Sequence, residues 1–189
     1  MKRTFLLLFF VCLVFGCNAQ NLDSMYTCLD KAIANSSEYM RNKQFRIDEL
    51  KNQYRYANNG IGKYNIGLKL YEEYHALMND SAISYLNRCI QISEDLHRED
   101  LKVRAYILIA HQFAVAGFYT EAQYYYSLID KNKIKGSNIV DYYYGLCHLY
   151  GDMAFYAKDN KMKQLYFKTS DNYLSQLYKF LDSNSTMYL

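Results

Sequence analysis

Four histidines, at positions 75, 97, 111 and 148, and five cysteines are the side chains of this chain best able to hold a metal or attack a substrate. Their spacing argues against both. No two histidines stand as H-x3-H or within H-E-x-x-H, and no cysteines form C-x-x-C, so no local ligand set for zinc is present. No serine lies in a G-x-S-x-G turn. Gly60-Ile61-Gly62 has neither a preceding strand nor a Gly-Lys-Ser or Gly-Lys-Thr ending, and so is no phosphate cradle. Glu94, Asp95, Glu99 and Asp100 crowd a predicted turn, where acids suit a helix start better than a hydrolytic cleft. Neither a catalytic set nor a cofactor site emerges, and the chain reads as a binding protein rather than an enzyme.

The elements that must position these residues are helices. Proline and tryptophan are absent and only eight of 189 residues are glycine. An all-β domain needs far more turn formers. The 22 tyrosines each bring an apolar body and a polar tip, a combination suited to half-buried seams between helices.

The first sixteen residues, "MKRTFLLLFFVCLVFG", place Lys2 and Arg3 before an apolar run from Phe5 to Phe15. Eleven helical residues span about 16 Å, short of the roughly 30 Å of a bilayer core, so residues 1–19 read as an export signal. Two endings are open. Cleavage after Ala19 would release a soluble chain; alternatively "VFGC" is a lipobox, and Cys17 would be lipidated after cleavage behind Gly16. The chain after residue 19 keeps 20 Lys and Arg against 19 Asp and Glu, a balance of +1, with no basic run. That is no footprint for nucleic acid, and the aromatic run "YYYGLCHLY" lacks the positive charge of a base-stacking platform. Cys28, Cys89 and Cys147 are too few, and too far apart, for a disulfide framework; they read as small buried hydrophobes.

Residues 20–189 read as one helical repeat domain. Leu22, Met25, Tyr26, Leu29 and Ile33 form one stripe; Tyr39, Met40, Phe45, Ile47, Leu50 and Tyr54 form another, giving an N-terminal hairpin over 22–57. "NNGIGKYN" is the clearest loop. Helix, turn and helix then recur over about 64–96, 100–131 and 138–181. Ala82 and Ala122 lie forty residues apart, and Ala110 and Cys147 thirty-seven, close to the period of a helix-pair repeat. Within "AVAGFYTEAQYYYSLI", Gly117 ends one helix and Tyr119 begins the next. Ala122 marks the crossing, and Tyr126 with Ile129 faces the following unit.

This pattern resembles the tetratricopeptide repeat. Tyr106, Ile109, Ala110 and Phe113 match its first helix; Gly117, Tyr119, Ala122 and Tyr126 match its turn and second helix. The repeat from 64 keeps Ala82 but has a poor first helix. The repeat from 138 keeps Tyr143, Leu146, Cys147 and Tyr150, with Asp159 or Asn160 where the alanine belongs. The resemblance implies an all-α fold, antiparallel helix pairs stacked as a TPR-like right-handed α-solenoid. The stretches "LDKAIANSSEYMRNKQFRIDELK", "YEEYHALMNDSAISYLNRC", "AGFYTEA" and "YYYGLCHLYGDMAFYAKD" also resemble the exported N-terminal part of a family of bacterial membrane-anchored regulators. That second likeness implies a periplasmic sensor or interaction module. It also implies that membrane attachment comes through a helix beyond residue 189, as in a truncated gene product or isolated sensor half. The alternative, resting on the lipobox, is a structural helical lipoprotein of the cell envelope anchored through Cys17.

In tetratricopeptide arrays the residue after the small one of each first helix faces the concave groove. Here those are His111 and His148. The same carry-over assigns Arg104, Ile107, Ala114 and Val115 to the groove in one repeat, Asp141, Tyr144, Gly151 and Asp152 in the next, and Glu72 and His75 in the first. Such a mixed polar wall suits a protein, a peptide or a glycan-related small ligand.

Overall fold

The computed structural model describes residues 22–181, which lie in helices and short turns with no strand among them. The expected export signal and Cys17 lie outside the described residues. Helical conformation holds over 22–34 (α1), followed by α2 (Ser36–Tyr56), α3 (Gly60–Tyr74), α4 (Asn79–Asp95), α5 (Glu99–Val115), α6 (Tyr119–Ser127), a 3-10 turn (Lys131–Lys133), α7 (Asn138–Tyr156) and α8 (Asn160–Leu177). The chain divides into two compact units between Asp48 and Glu49.

In the first unit the hairpin expected over 22–57 does not form. One residue, Asn35, separates α1 from α2, where an antiparallel pair needs a loop of about two to five. The Asn35 amide donates to the Lys31 carbonyl and the Tyr39 amide to the Asn35 carbonyl, each at 3.1 Å, so helical hydrogen bonding runs on through the break. Leu22, Met25, Tyr26, Leu29 and Ile33, the expected seam, are all more than half exposed.

The second unit is an all-α, tetratricopeptide-like stack in which α3–α4, α5–α6 and α7–α8 are the helix pairs. Each pairs internally, α4 packs on α5, and α5 and α6 pack on α7. Local chemistry sets the ends. The Asn59 side chain accepts from the Gly62 amide to start α3, and Asp159 accepts from the Met162 amide at 2.9 Å to start α8. At the end of α5 the Gly117 amide reaches the Ala114 carbonyl and the Phe118 amide the Phe113 carbonyl, both 2.9 Å, with Gly117 at φ +82°. The equivalent closure after α4 puts a non-glycine, His97, at φ +52°, so this fourth histidine terminates a helix.

Small residues let these helices approach. Ala82, Ala110 and Ala122 are fully buried. In the first pair the position matching Ala110 holds Tyr71, and the close approach lies a turn earlier. There Gly67 faces the Cys89 thiol so tightly that a Cβ would come within 2.8 Å of the sulfur. In the third pair Cys147 meets Ser170, whose hydroxyl donates to the Cys147 carbonyl at 2.9 Å. Neither Asp159 nor Asn160 supplies the small residue of α8, because they form its N-cap and first residue; Ser170 supplies it instead. Gly151 also faces Ser170 at ordinary van der Waals distance, and so belongs to the α7–α8 contact rather than to a groove.

The central core joins Val103, Ile107, Ala110 and Ala114 of α5 to Ala122 and Tyr126 of α6 and to Tyr142, Leu146 and Leu149 of α7. Tyr126 is its tightest fit. The phenol reaches the α7 backbone where Gly145 has no side chain, and any Cβ there would occupy the place of the Tyr126 hydroxyl. That hydroxyl is buried and has no hydrogen-bond partner among the described residues. Such a group costs about 1–3 kcal/mol when left unsatisfied.

Two predictions follow from this packing. Ala122→Leu overpacks the α5–α6 crossing and lowers unfolding free energy by about 1–3 kcal/mol, read from the urea midpoint at unchanged slope. Gly145→Ala should lose a similar amount in the parent chain and distinctly less in a Tyr126→Phe background, because removing the hydroxyl makes room for the new methyl. A double-mutant cycle with additive losses would contradict that contact.

Candidate functional site

The candidate surface is the face formed by the first helices of successive pairs, α3, α5 and α7. Its register is held by the Gln112 amide, which donates to the His75 carbonyl at 3.0 Å and to the Asn79 side-chain oxygen at 2.8 Å. The bonds pin α5 to the two ends of the α3–α4 turn. Gln112 is itself buried, so both partners replace water that it gave up on folding. Nearer the other end of α3, the Tyr64 hydroxyl donates to the Leu101 carbonyl at 2.8 Å.

Four of the expected residues act electrostatically on a fifth, His111. Burial pushes this half-buried imidazole below its ordinary pKa; nearby His148 and His75 push it the same way, while Asp152 and Asp141 oppose them. His75 at the end of α3, His111 on α5 and His148 on α7 thus form a row across three helices, with a carboxylate on either side along α7. The two outer histidines lie beside tyrosines one turn earlier in sequence. Tyr144 and His148 ring centroids are 4.3 Å apart, those of Tyr71 and His75 5.6 Å. His75, His148 and Asp141 are exposed, Tyr144 and Asp152 half-buried. Tyr71 was missed by sequence reasoning, although its i, i+4 relation to His75 repeats that of Tyr144 to His148.

The other expected residues are placed differently. Arg104 is half-buried and acts electrostatically on Tyr64 together with Asp100, at the N-terminal end of α5. Its Nε is buried without a partner among the described residues. Glu72 is exposed on α3. Val115 is exposed too, but Ile107 and Ala114 are buried at 3 and 4 % exposure and so do not line an open wall. Their burial follows from the place of α5 between α4, α6 and α7: only residues near the centre of its remaining face reach solvent.

This arrangement offers donors, acceptors and ring faces, and no nucleophile activated by a base. Cys147 is occupied by its contact with Ser170, 3.5 Å from sulfur to hydroxyl. Cys89 lies fully buried, where loss of hydration pushes its thiol pKa up to about 12 and keeps it from forming a thiolate. Among the described residues no three His, Cys, Asp or Glu side chains converge closely enough to hold a metal ion.

No curated protein and no solved structure matches the chain. The family model described as the SusR N-terminal TPR domain matches residues 33–189, covering all of α2 to α8. Repeat domains of this class generally work as protein-interaction surfaces. The helix pairs, their small-residue contacts and the matched span agree: the chain belongs to the SusR N-terminal TPR domain family.

Proposed function

We propose that this chain is the exported, non-enzymatic input module of a membrane-anchored regulator, and that it binds a peptide, a protein segment or a glycan-related small ligand along the face of α3, α5 and α7. The observation behind this reading is the gathering of His75, His111, His148, Asp141 and Asp152 from three separate first helices around one half-buried imidazole. Stability alone gives no reason to collect three bases at one place; burial and the neighbouring imidazoles both penalise protonation of His111. A surface that presents the His111 imidazole, held toward its neutral form, two exposed histidines, carboxylates and the half-buried Tyr144 ring recognises hydrogen-bonding groups and flat apolar ones, and leaves bonds intact. Binding would favour one arrangement of the stack and pass that preference to the rest of the regulator.

Two experiments separate the parts of this reading. Alkaline phosphatase fused after Leu189 becomes active if residues 1–19 direct export and stays inactive if they do not; incorporation of a palmitate analogue that Cys17→Ser abolishes would identify a lipid anchor instead of soluble release. For binding, peptide and oligosaccharide arrays are probed with the parent chain and with His111→Ala combined with His148→Ala. Array ligands of the parent should lose about tenfold or more in affinity while thermal unfolding moves by only a few degrees. An equally tight complex would remove this face from consideration.

The depressed His111 pKa also predicts a pH response. The unfolded imidazole takes up its proton near its ordinary value of about 6.5, and the folded one only at lower pH. His111 therefore costs nothing above that value, and stability falls as pH drops below it. Urea midpoints between pH 7.5 and 5.5 should fall less steeply for His111→Gln than for the parent.

A further inference from the structure

The helix pairs are unequal. Second helix α4 has 17 residues and α8 has 18, but α6 ends after 9. The chain then leaves through Ile129, buried in the central core, and a 3-10 turn begun by Asp130, whose side chain accepts from the Asn132 amide at 3.0 Å. Lys133 of that turn reaches Glu99 of α5 at 3.7 Å, drawing the segment away from the path a longer α6 would have followed. Where its missing turns would have packed, a cavity of about 230 Å³ opens between α6, α7 and α8.

We propose that this cavity is a second binding site, distinct from the α3–α5–α7 face, and that it takes a small aromatic carboxylate. An apolar cavity of about 150 Å³ suffices for benzene, so this one has room for a ring carrying a compact polar group. Ile129 and Leu146, with the tyrosine rings, supply the apolar walls; Tyr150 and Tyr173 lie nearly parallel at 5.7 Å. The polar lining is donor-rich. Lys131 brings an ammonium group, and the Gln123 amide already donates to the Tyr150 hydroxyl, which leaves that hydroxyl's proton for another acceptor. Tyr126, only 4 % exposed, gives the cavity the side of its ring, while its hydroxyl is spent in the seam against Gly145. Burial pushes Tyr142, also in the lining, up to about 12, so it stays protonated. No carboxylate lines the space. The acid that acts on Tyr126, Asp141, lies one turn before Gly145 on α7 and is not among the residues lining the cavity. A donor set with one cation and no anion selects an acceptor with negative charge, and the ring walls select a flat body behind it.

Fluorobenzoate titrated into the full chain and followed by fluorine NMR tests this. Saturable binding at about millimolar concentration or tighter is expected. It should weaken about tenfold in Lys131→Gln and also in Tyr150→Phe. Lys131 is exposed, so its substitution leaves unfolding temperature unchanged and separates lost charge from lost fold. The paired His111→Ala and His148→Ala substitutions should leave fluorobenzoate affinity untouched, which keeps this test independent of the proposed ligand face. Fluorophenol and tetramethylammonium serve as neutral and cationic probes. Absence of saturable binding, equal or tighter binding of either probe, or indifference to Lys131→Gln would each overturn the proposal.

Discussion

A tyrosine can lie between two packed helices only where one of them withholds its side chain, and the contact of Tyr126 with Gly145 is where this stack meets that constraint. The ring bridges α6 and α7, edge-on to Tyr142 with centroids 5.7 Å apart, and its tip fills the space of an absent Cβ. From it follow the α5–α6–α7 core, the exposure of the other side of α7 and the shape of the space behind α6. A bulkier residue at 145 would push the helices apart and with them Tyr144 and His148, which sit on that same turn. Recognition chemistry and packing are therefore coupled through a position that holds no side chain at all.

Tyrosine lets this chain build such contacts without tryptophan. Each ring offers area for the seam and a hydroxyl that must be dealt with, and the solutions differ by place. The Tyr64 hydroxyl donates to a backbone carbonyl across a helix boundary, tying α3 to α5. Tyr54 and Tyr74 pack against Tyr85 of α4, and Arg88 lies over the Tyr85 ring at 4.9 Å. Only the Tyr126 hydroxyl combines deep burial with no partner among the described residues. An array made wholly of leucine seams would fold on the same pattern, but it would have no polar tips to place at an inner wall or in a cavity.

The period of the repeat was readable because alanine recurs at the helix crossings: Ala82, Ala110 and Ala122 occupy positions whose volume a larger residue would exceed. Gly117 was readable for a different reason, since a glycine between two apolar runs marks a left-handed helix end. Reading by period also hid things. It fixed attention on the place of Ala110 and so missed Gly67 against Cys89, one turn away, and Ser170 against Cys147, where the serine looks like an ordinary polar residue of α8. Gly145 gave no signal because nothing local distinguishes a glycine that receives a ring from one that merely loosens a helix. In α1 the stripe from Leu22 to Ile33 is a true helical signal, yet periodicity reports that a helix has an apolar face and says nothing of whether the chain folds back to cover it. The row of histidines was legible only by carrying positions over from a repeat pattern. Burial then divided that row, leaving His111 half-covered and Ile107 and Ala114 beneath the surface.

That division decides what the inner face can do at neutral pH. Three imidazoles drawn toward one point would repel if charged, and burial of the central one tips it toward the neutral form, with Asp141 and Asp152 limiting the shift. A neutral imidazole is both donor and acceptor, whereas a protonated one only donates. Kept neutral, His111 can answer a hydroxyl or an amide, groups that themselves give and take a hydrogen bond, while the exposed carboxylate of Asp141 accepts from such a ligand. In the proposed ligand face the half-buried histidine would thus favour hydrogen-bonding pattern over charge. Gln112, its neighbour in sequence, holds α5 in place by donating to the His75 carbonyl at the end of α3 and to the Asn79 side chain at the start of α4.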